Sequence, residues 1–307
     1  MPRSGTPFHH RSVMCDEILA QFGDLLGKTI ADVTAGGGGH LRALLKAVGP
    51  NGRIVALDRD KRAHELDAAG GVSKENPSQI KLFHRPFSRL KETLLECGIN
   101  EVDGIVADLG VSSHQLDEAS RGFSFMANGP IDMRMDQSAG MSAYDWLVRS
   151  SEREIADTLF NLGGERKSRA IAALIKKSMP IENSTAVLAK LICSAMRQKK
   201  WSRIHPATRS FQAIRMAVNH EYDELVHLLK DLPELLAPGG VAVFLSFHSI
   251  EDGLIKRRFR QMAKGEVQEV VHQFSLLAKK PQGASEEELS LNPRSRSAKL
   301  RAIKRII

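Results

Sequence analysis

Cysteine is scarce in this sequence of 307 residues, where only Cys15, Cys97 and Cys193 occur, far apart in the chain. No C-x-x-C pair is present, so the sequence predicts neither a disulfide framework nor a zinc site, and we expect no bound metal. The low cysteine content fits a reducing compartment, and we therefore expect a cytoplasmic protein. No run of about 18 apolar residues occurs, so we expect neither a membrane span nor a signal peptide.

Acidic residues are the minority charge. Lys and Arg number 44 against 36 for Asp and Glu, a formal net charge of +8. Such an excess is compatible with a polyanionic partner, although many ordinary enzymes share it. Two segments, 190–209 and 292–307, each hold six basic residues and no acid, and the first also contains Trp201. Taken alone, either segment is more typical of a solvated surface than of a nucleic-acid site.

The first third of the chain alternates between strand and helix patterns. β-type runs occur at 29–34, 53–58, 80–84, 102–108 and 241–247. Helical spacing separates the first runs, for example in HLRALLKAV at 40–48. Strands separated by helices predict an α/β domain whose parallel sheet is covered by helices on both faces.

The strand pattern stops between residues 116 and 206. Apolar side chains recur there at helical spacing, in segments 152–162, 165–177 and 185–196. Beyond them, residues 208–236 predict one helix, or two helices broken at Pro233. We therefore predict a discontinuous α/β domain, formed by residues 1–115 and 207–307, that is interrupted by a helical insert at 116–206.

A glycine-rich loop follows the first predicted strand. The segment DVTAGGGGH at 32–40 joins that strand to a helix, and glycine lets the backbone approach a ligand beside the free N–H groups of the helix start. Asp58 ends the next strand, where an acid can accept both ribose hydroxyls of a nucleoside. These features fit NAD as well as S-adenosylmethionine (SAM), and a tight turn without a ligand is the structural alternative.

Two features favour SAM. Four glycines followed by His40 do not match the G-x-G-x-x-G pattern, and LAPGG at 236–240 resembles the turn before the fifth strand of SAM-dependent methyltransferases. Asp108 ends the fourth predicted strand, where open α/β sheets bind their ligands. We expect Asp108 in the site, either holding the cofactor or acting directly in the chemistry.

Several longer segments resemble one known family, the ribosomal RNA small-subunit methyltransferase H (MraW-like) family. They are DLGVSSHQLD at 108–117, RGFSF at 121–125, GPIDMRMD at 129–136, HPATRSFQAIRMAVN at 205–219, SFHSIED at 246–252 and NPRSRSAKLR at 292–301. The resemblance covers nearly the whole chain. It implies a class I SAM-dependent methyltransferase fold (Rossmann-like) with an inserted helical domain, and methylation of the exocyclic N4 of a cytidine in the decoding region of 16S rRNA.

The resemblance also implies site residues, motif by motif. It implies SAM contacts at Gly38, Gly39, His40, Asp58, Phe87, Asp108 and Gln115. It places Ser112, Ser113, Asp132, Arg134, Ser246 and His248 near the substrate, with structural hydrogen bonding of loops as the alternative. It favours RNA contact for the basic segments, with Lys199 and Lys200 as candidates. The implied partner is 16S rRNA within the small ribosomal subunit, and homodimer formation stays open.

The sequence is therefore compatible with three hypotheses. The first is an rRNA cytosine-N4 methyltransferase with the helical insert as its RNA-recognition domain; its target base must leave the stack to react. The second is a methyltransferase of the same fold that acts on another acceptor. The third is a non-catalytic ribosome-binding protein, which would predict a damaged cofactor loop, whereas residues 36–40, Asp58 and Asp108 look intact.

Overall fold

The computed structural model describes residues 12–196, 205–267 and 272–307. The chain divides into two compact units, one formed by residues 1–110 and 224–307 and the other by residues 111–223. The helical insert predicted at 116–206 lies within the second unit. The α/β domain was predicted at 1–115 and 207–307. The first unit is shorter at both junctions, because residues 111–115 and 207–223 belong to the second unit.

In the described part of the first unit, seven strands form one sheet in the order β3-β2-β1-β4-β5-β7-β6. The strands are β1 (Thr29–Asp32), β2 (Arg53–Asp58), β3 (Ile80–His84), β4 (Val102–Asp108), β5 (Leu236–Ser246), β6 (Phe274–Leu276) and β7 (Lys299–Arg305). The first five pair in parallel, whereas β7 is antiparallel to both of its neighbours. The strand order reverses between β1 and β4, and such a switch point is where open α/β sheets bind ligands.

Fourteen α-helices occur in the described residues. They are α1 (Cys15–Ala20), α2 (Gly39–Val48), α3 (Lys61–Ala68), α4 (Val72–Glu75), α5 (Leu90–Glu96), α6 (Ser113–Asp117), α7 (Ala143–Arg149), α8 (Glu152–Gly163), α9 (Ser168–Ser178), α10 (Thr185–Met196), α11 (Thr208–Val218), α12 (Glu221–Leu235), α13 (Ser249–Ala263) and α14 (Glu286–Leu291). Short 3-10 turns cover Phe87–Arg89, Ala119–Arg121 and Pro293–Ser297.

Both faces of the sheet are buried, as the uninterrupted apolar strands require. Alternate residues of a strand face opposite sides, so Ile30 joins the cluster that includes α1 and α2, and Ala31 joins the cluster that includes α5, α12 and α13. The same alternation separates Val243 from Phe244 in β5. Because both faces of the sheet are covered by apolar side chains, polar side chains of the strands are expected at the strand ends.

The break between the last two predicted helices lies elsewhere than the sequence suggested. α11 ends at Val218 and α12 begins at Glu221, with His220 in the left-handed region at φ 51°, so the predicted break at Pro233 is wrong. Pro233 sits in the last turn of α12, where its missing N–H leaves the carbonyl of Leu229 without its helical donor. The Nε of Arg258 donates to that carbonyl at 2.9 Å, which removes the penalty of an unpaired buried group.

The second unit has a core of its own. α8 and α9 contribute Ile155, Leu159, Ile171 and Ile175, all fully buried, and α11 contributes Ile214. Apolar positions three and four residues apart form these helix faces, as the sequence predicted. The helices expected at 152–162, 165–177 and 185–196 are α8, α9 and α10.

Candidate active site

The glycine loop connects the carboxyl end of β1 to α2. Within it, the N–H of Ala35 donates to the carbonyl of Leu57 at 3.0 Å, which ties the loop to β2. Gly36 and Gly38 have φ of +50° and +77°, in the left-handed region that glycine enters at least cost. The turn therefore requires glycine at these two positions, whatever it binds.

The other two glycines of the loop differ in the space around them. A Cβ on Gly39 would collide with the Oγ of Ser12 and lie 3.0 Å from its Cβ, so a side chain there would require Ser12 to move. A Cβ on Gly37 would meet nothing within 4 Å. The backbone at Gly37 therefore borders open space, which a ligand close to the loop would fill.

Asp58 holds the loop from the end of β2. Its Oδ2 accepts the N–H of Gly36 at 2.7 Å, and its Oδ1 accepts the N–H of Asp60 at 2.7 Å. Burial raises the pKa of this carboxyl above its usual value, although both backbone hydrogen bonds favour the charged form. A carboxylate has about four lone-pair sites, so Asp58 retains acceptor capacity for ribose hydroxyls.

Asp108 ends β4 beside the same loop. Its backbone N–H donates to the Oγ1 of Thr34 at 2.7 Å, and its Oδ2 lies 3.7 Å from the Nδ1 of His40. Its Oδ1 is buried and has no hydrogen-bond partner within residues 12–196, 205–267 and 272–307. Burial, together with the negative charge of Glu251, raises the pKa of Asp108 to about 7.

Asp32, at the end of β1, completes a group of three acids that the sequence did not assign to the site as a set. It is fully buried, its Oδ1 accepts the N–H of Thr34 at 3.1 Å, and its Oδ2 has no partner in the described chain. Burial raises its pKa, and the charges of Asp108 and Asp58 act in the same direction. Asp32 is the last residue of β1, just as Asp58 and Asp108 are the last residues of β2 and β4. This shared position at a strand end could have identified Asp32 from the sequence.

The three acids fit a ligand that carries hydroxyl donors and a positive charge. Unpaired buried carboxylate oxygens are rare in native folds, and a bound group commonly explains them. Asp32 and Asp108 each have one such oxygen, and Gly37 borders open space beside them. This edge of the first unit therefore has the acceptors, the charge and the room for a cationic nucleoside.

His40 has a structural contact on one ring nitrogen. Its Nε2 lies 3.0 Å from the carbonyl of Val13, and because a carbonyl only accepts, this nitrogen carries a hydrogen. Its Nδ1 lies 3.7 Å from the Oδ2 of Asp108, which is beyond hydrogen-bond distance. The side chain of Phe87 packs against the core cluster that includes α5 and α12. Direct contacts of His40 and Phe87 with SAM therefore stay predictions.

Gln115, Ser112 and Ser113 lie in the second unit, around the start of α6. The Oγ of Ser112 accepts the N–H of Gln115 at 3.2 Å, and the Oε1 of Gln115 accepts the N–H of Ser112 at 2.9 Å. This reciprocal pair is a capping box, and Ser113 is the first helical residue. Ser112 therefore has the structural role that was the alternative to substrate contact. Substrate contact by Ser112 and Ser113, and SAM contact by Gln115, stay predictions.

Asp132 and Arg134 form a bidentate ion pair within the second unit. The Nε and Nη2 of Arg134 each donate to the Asp132 carboxylate at 2.8 Å. Although burial opposes ionisation, these hydrogen bonds hold the pKa of Asp132 below its usual value. Asn219 anchors the same loop, since its side chain bonds the backbone of Met133 and Met135 at 2.7 Å each. The pair stiffens a loop, and substrate contact by either residue remains a prediction.

Ser246 and His248 follow the end of β5 in the first unit. Ser246 is fully buried, and His248 is the N-cap residue of α13, with its Nε2 3.2 Å from the Oε1 of Glu251. The next residue, Asp252, accepts from the Nε of Arg301 at 2.7 Å and from the Nζ of Lys299 at 3.2 Å. Glu251 and Asp252 both lie in the SFHSIED segment, whose pattern did not mark them as candidates beside Ser246 and His248.

Three of the sequence candidates fall outside the described residues: Lys199, Lys200 and Trp201. Within the described ranges, no group of three or more His, Cys, Asp or Glu side chains could hold a metal ion. No helix in those ranges combines the length and apolar character that crossing a bilayer requires.

Comparison with known proteins decides the family. The model of the MraW methylase family matches residues 7–306. The chain belongs to the MraW methylase family. Similar proteins include ribosomal RNA small subunit methyltransferase H of Koribacter versatilis, 43% identical over 97% of this chain and 94% of that protein. The proteins of that name from Geobacter sp. (42%; 97% and 99%) and Acinetobacter baumannii (44%; 90% of each) are also similar.

Membership of the MraW methylase family confirms the resemblance found in the sequence. It also confirms the predicted fold class, because the described sheet is α/β and mostly parallel, with helices on both faces and a helical unit inserted after β4. The three acids at the ends of β1, β2 and β4 are thus part of a methylase.

Proposed function

We propose that this protein transfers a methyl group from SAM to the exocyclic N4 of a cytidine in the decoding region of 16S rRNA. The observation that carries the proposal is the group of Asp32, Asp58 and Asp108 around the glycine loop, in a chain of the MraW methylase family. The curated relatives are named for methylation of small-subunit ribosomal RNA, which supports rRNA as the acceptor. The proposed compartment is the cytoplasm.

When bound, SAM supplies an electrophilic methyl group on a positively charged sulfonium centre. The N–H of Gly36 keeps Asp58 oriented at 2.7 Å, so that its remaining lone pairs can accept the ribose hydroxyls. Asp32 and Asp108 add negative charge at the strand ends, which favours a cationic ligand over its neutral product. Binding thereby weakens once the methyl group has left.

The acceptor nitrogen needs alignment, because the lone pair of cytosine N4 is delocalised into the ring. The Oδ2 of Asp108 is available for a hydrogen bond from the amine, since its 3.7 Å separation from His40 leaves room for a stronger partner. Such a bond would fix the amine in line with the methyl group. Asp108 is therefore the proposed catalytic residue.

RNA recognition is proposed for residues 116–206 and for the two basic segments. The target base must be unstacked before it can enter a pocket, and basic side chains can hold the flanking phosphates. In the C-terminal segment Arg301 is engaged with Asp252, whereas Arg296 is exposed, so Arg296 is the residue we propose for a phosphate contact. The intended substrate is 16S rRNA in the small ribosomal subunit.

Mass spectrometry of rRNA nucleosides tests the proposal. Small subunits from cells that lack the gene are incubated with SAM and either the protein or its Asp58→Ala variant, and N4-methylcytidine is quantified. The wild-type protein should produce one such nucleoside in 16S rRNA, and the variant much less. Methylation of a different base or a non-RNA acceptor would favour a same-fold methyltransferase of other specificity. Tight subunit binding without any methylation would favour the non-catalytic protein.

A further inference from the structure

A cluster of buried polar groups lies on the β5 side of Asp108 and has no part in the proposed cofactor contacts. Asp108 pairs in register with Leu245, and the N–H of Leu109 donates to the carbonyl of Leu245 at 3.1 Å. Ser246 is the next residue, and α13 begins at Ser249. The short connection places Glu251, in the first turn of α13, close enough for its charge to act on Asp108.

Three oxygens of this cluster lack partners. Within the described parts of the chain, the Oδ1 of Asp108, the Oγ of Ser246 and the Oε2 of Glu251 are buried without a hydrogen bond. Glu251 is only 4% exposed. A carboxyl group that is so poorly solvated affects its neighbours strongly, because a charge in a low-dielectric surrounding is weakly screened.

His248 is the neighbour of Glu251 at the start of α13. Its Nε2 lies 3.2 Å from the Oε1 of Glu251, and its ring also caps the helix on which Glu251 sits. The hydrogen bond between them runs from the backbone N–H of Glu251 to the Nδ1 of His248, and within the described residues the Nε2 of His248 and the Oε2 of Glu251 are both buried without a hydrogen bond. This arrangement costs stability, so a role in the reaction is the simplest physical reason for it.

We infer that Glu251, in the helix turn that His248 caps, is a positioning residue that acts through Asp108, and that Asp108 accepts the proton which the attacking amine loses. The inference rests on the proposed function, because it names the proton acceptor of that reaction. The N4 lone pair forms a bond to the methyl carbon while the methyl–sulfur bond breaks and its electron pair stays on sulfur. The nitrogen then carries positive charge, and one of its protons passes to the Asp108 carboxylate and on to solvent.

The electrostatics support this division of roles. Burial and Glu251 raise the pKa of Asp108 to about 7, and a general base works best when its pKa lies near the working pH. Among the described residues, the other charged or titratable groups recorded as acting on Asp108 are His40, at 3.7 Å, and Asp32, whose charge interacts with it. Glu251, in the first turn of α13, is the acid whose charge raises the pKa of Asp108.

The first test follows Asp108 directly and needs no methyl donor. In full-length protein labelled with ¹³C at the aspartate carboxyl, the Asp108 resonance is identified by its absence in Asp108→Asn. Its titration midpoint should fall by about one pH unit in Glu251→Gln, because a neighbouring like charge is removed. Glu251→Asp keeps the charge but withdraws it by one methylene, so its midpoint should lie between the two.

The second test measures single-turnover methylation of the small subunit against pH. Glu251→Gln should move the acidic limb of the rate to lower pH by the same amount and lower the plateau, because a weaker base accepts the proton less readily. Affinity for SAM, measured by calorimetry at each pH, separates a change in cofactor binding from a change in the rate of the chemical step. Asp252→Asn is the matched control, since it removes a buried charge from the adjacent position of α13 and should leave the limb in place.

The results of these two tests separate the role of Glu251, the role of Asp108 and the proposed function. A wild-type Asp108 midpoint in every folded Glu251 variant overturns the inference. If the titration midpoint of Asp108 falls but the acidic limb of the methylation rate does not move, the assignment of Asp108 as proton acceptor is overturned. If the wild-type protein methylates no RNA, the proposed function fails, and the Asp108 titration still decides whether Glu251 acts on it.

Discussion

Asp58 and Gly36 are joined by a 2.7 Å hydrogen bond from the loop N–H to the Oδ2 of the carboxylate. The bond links the end of β2 to the glycine loop after β1, two segments 22 residues apart in sequence. One side chain thus shapes the loop that would contain the cofactor and also supplies the acceptor for its ribose. A substitution at Asp58 should therefore affect binding in two ways.

Asp58→Ala should weaken SAM binding, because it removes the ribose acceptor and frees the loop. Loss of a charge-assisted hydrogen bond costs about 1.5–3 kcal/mol, which is roughly a 10- to 150-fold rise in Kd. Isothermal calorimetry on the folded variant measures it. Asp60→Asn is the control, since Asn still caps α3, and should bind SAM like wild type. Unchanged affinity in Asp58→Ala would remove Asp58 from the cofactor site.

Gly39→Ala and Gly37→Ala should separate packing from ligand contact. The new Cβ at position 39 would overlap Ser12, so we expect a lower Tm together with weaker SAM binding. At position 37 it would meet only open space, so the Tm should stay at the wild-type value while SAM affinity falls. Thermal melts and calorimetry on both variants measure this. Wild-type affinity in Gly37→Ala would show that the cofactor does not approach that backbone.

Asp108→Asn should change how stability depends on pH. Because the folded-state pKa of Asp108 is raised to about 7 from its usual 3.8, its contribution is fully present below pH 3.8 and is lost as the pH rises through 7. The wild-type protein should therefore lose stability relative to Asp108→Asn across this window. Denaturant unfolding of both cofactor-free proteins at several pH values gives the difference. A difference that is constant with pH would contradict the raised pKa.

Arg301→Met should destabilise the first unit far more than Lys299→Met, although both side chains pair with Asp252. The side chain of Arg301 is 10% exposed, and its loss leaves a buried carboxylate short of a partner, at a cost of about 3–5 kcal/mol. Lys299 is 43% exposed, and such pairs contribute about 0–1 kcal/mol. Unfolding in urea measures both values. Equal losses would mean that the two cations share the role.

Replacing Lys199 and Lys200 together with Glu should weaken RNA binding and flatten its salt dependence. Each lost phosphate contact lowers the log–log salt slope by about 0.7–0.9. RNA affinity at several salt concentrations measures it, and SAM affinity should not change. The exposed pair Lys279 and Lys280, outside both basic segments, gives a control with the same change of charge. If both double variants bind RNA like wild type, the contact surface lies elsewhere, with the segment 292–307 as the next candidate.

The sequence by itself located the first five strands and the glycine loop, although β1 ends at Asp32 and β5 already begins at Leu236. The predicted strands at 53–58, 80–84 and 102–108 are β2, β3 and β4 to the residue, because short buried parallel strands are marked by local apolar runs. Asp58 and Asp108 follow from the same patterns, since the last residue of each strand reaches the ligand edge. The motifs shared with the family predicted the reaction, methyl transfer from SAM to ribosomal RNA.

Only the tertiary structure decided the contacts between distant segments. β7 was not predicted, because Lys299 and Arg301 interrupt its apolar pattern. Both side chains pair with Asp252, which lies 47 and 49 residues away in the sequence, so the reason for these charges is visible only in the folded chain. The break between α11 and α12 follows from left-handed backbone at His220, and Pro233 is tolerated because Arg258 supplies a donor. The effect of Glu251 on Asp108 likewise depends on burial and on the β4–β5 register. A local pattern specifies which residues form an element, whereas the partner and protonation of a buried charge depend on what folding brings beside it.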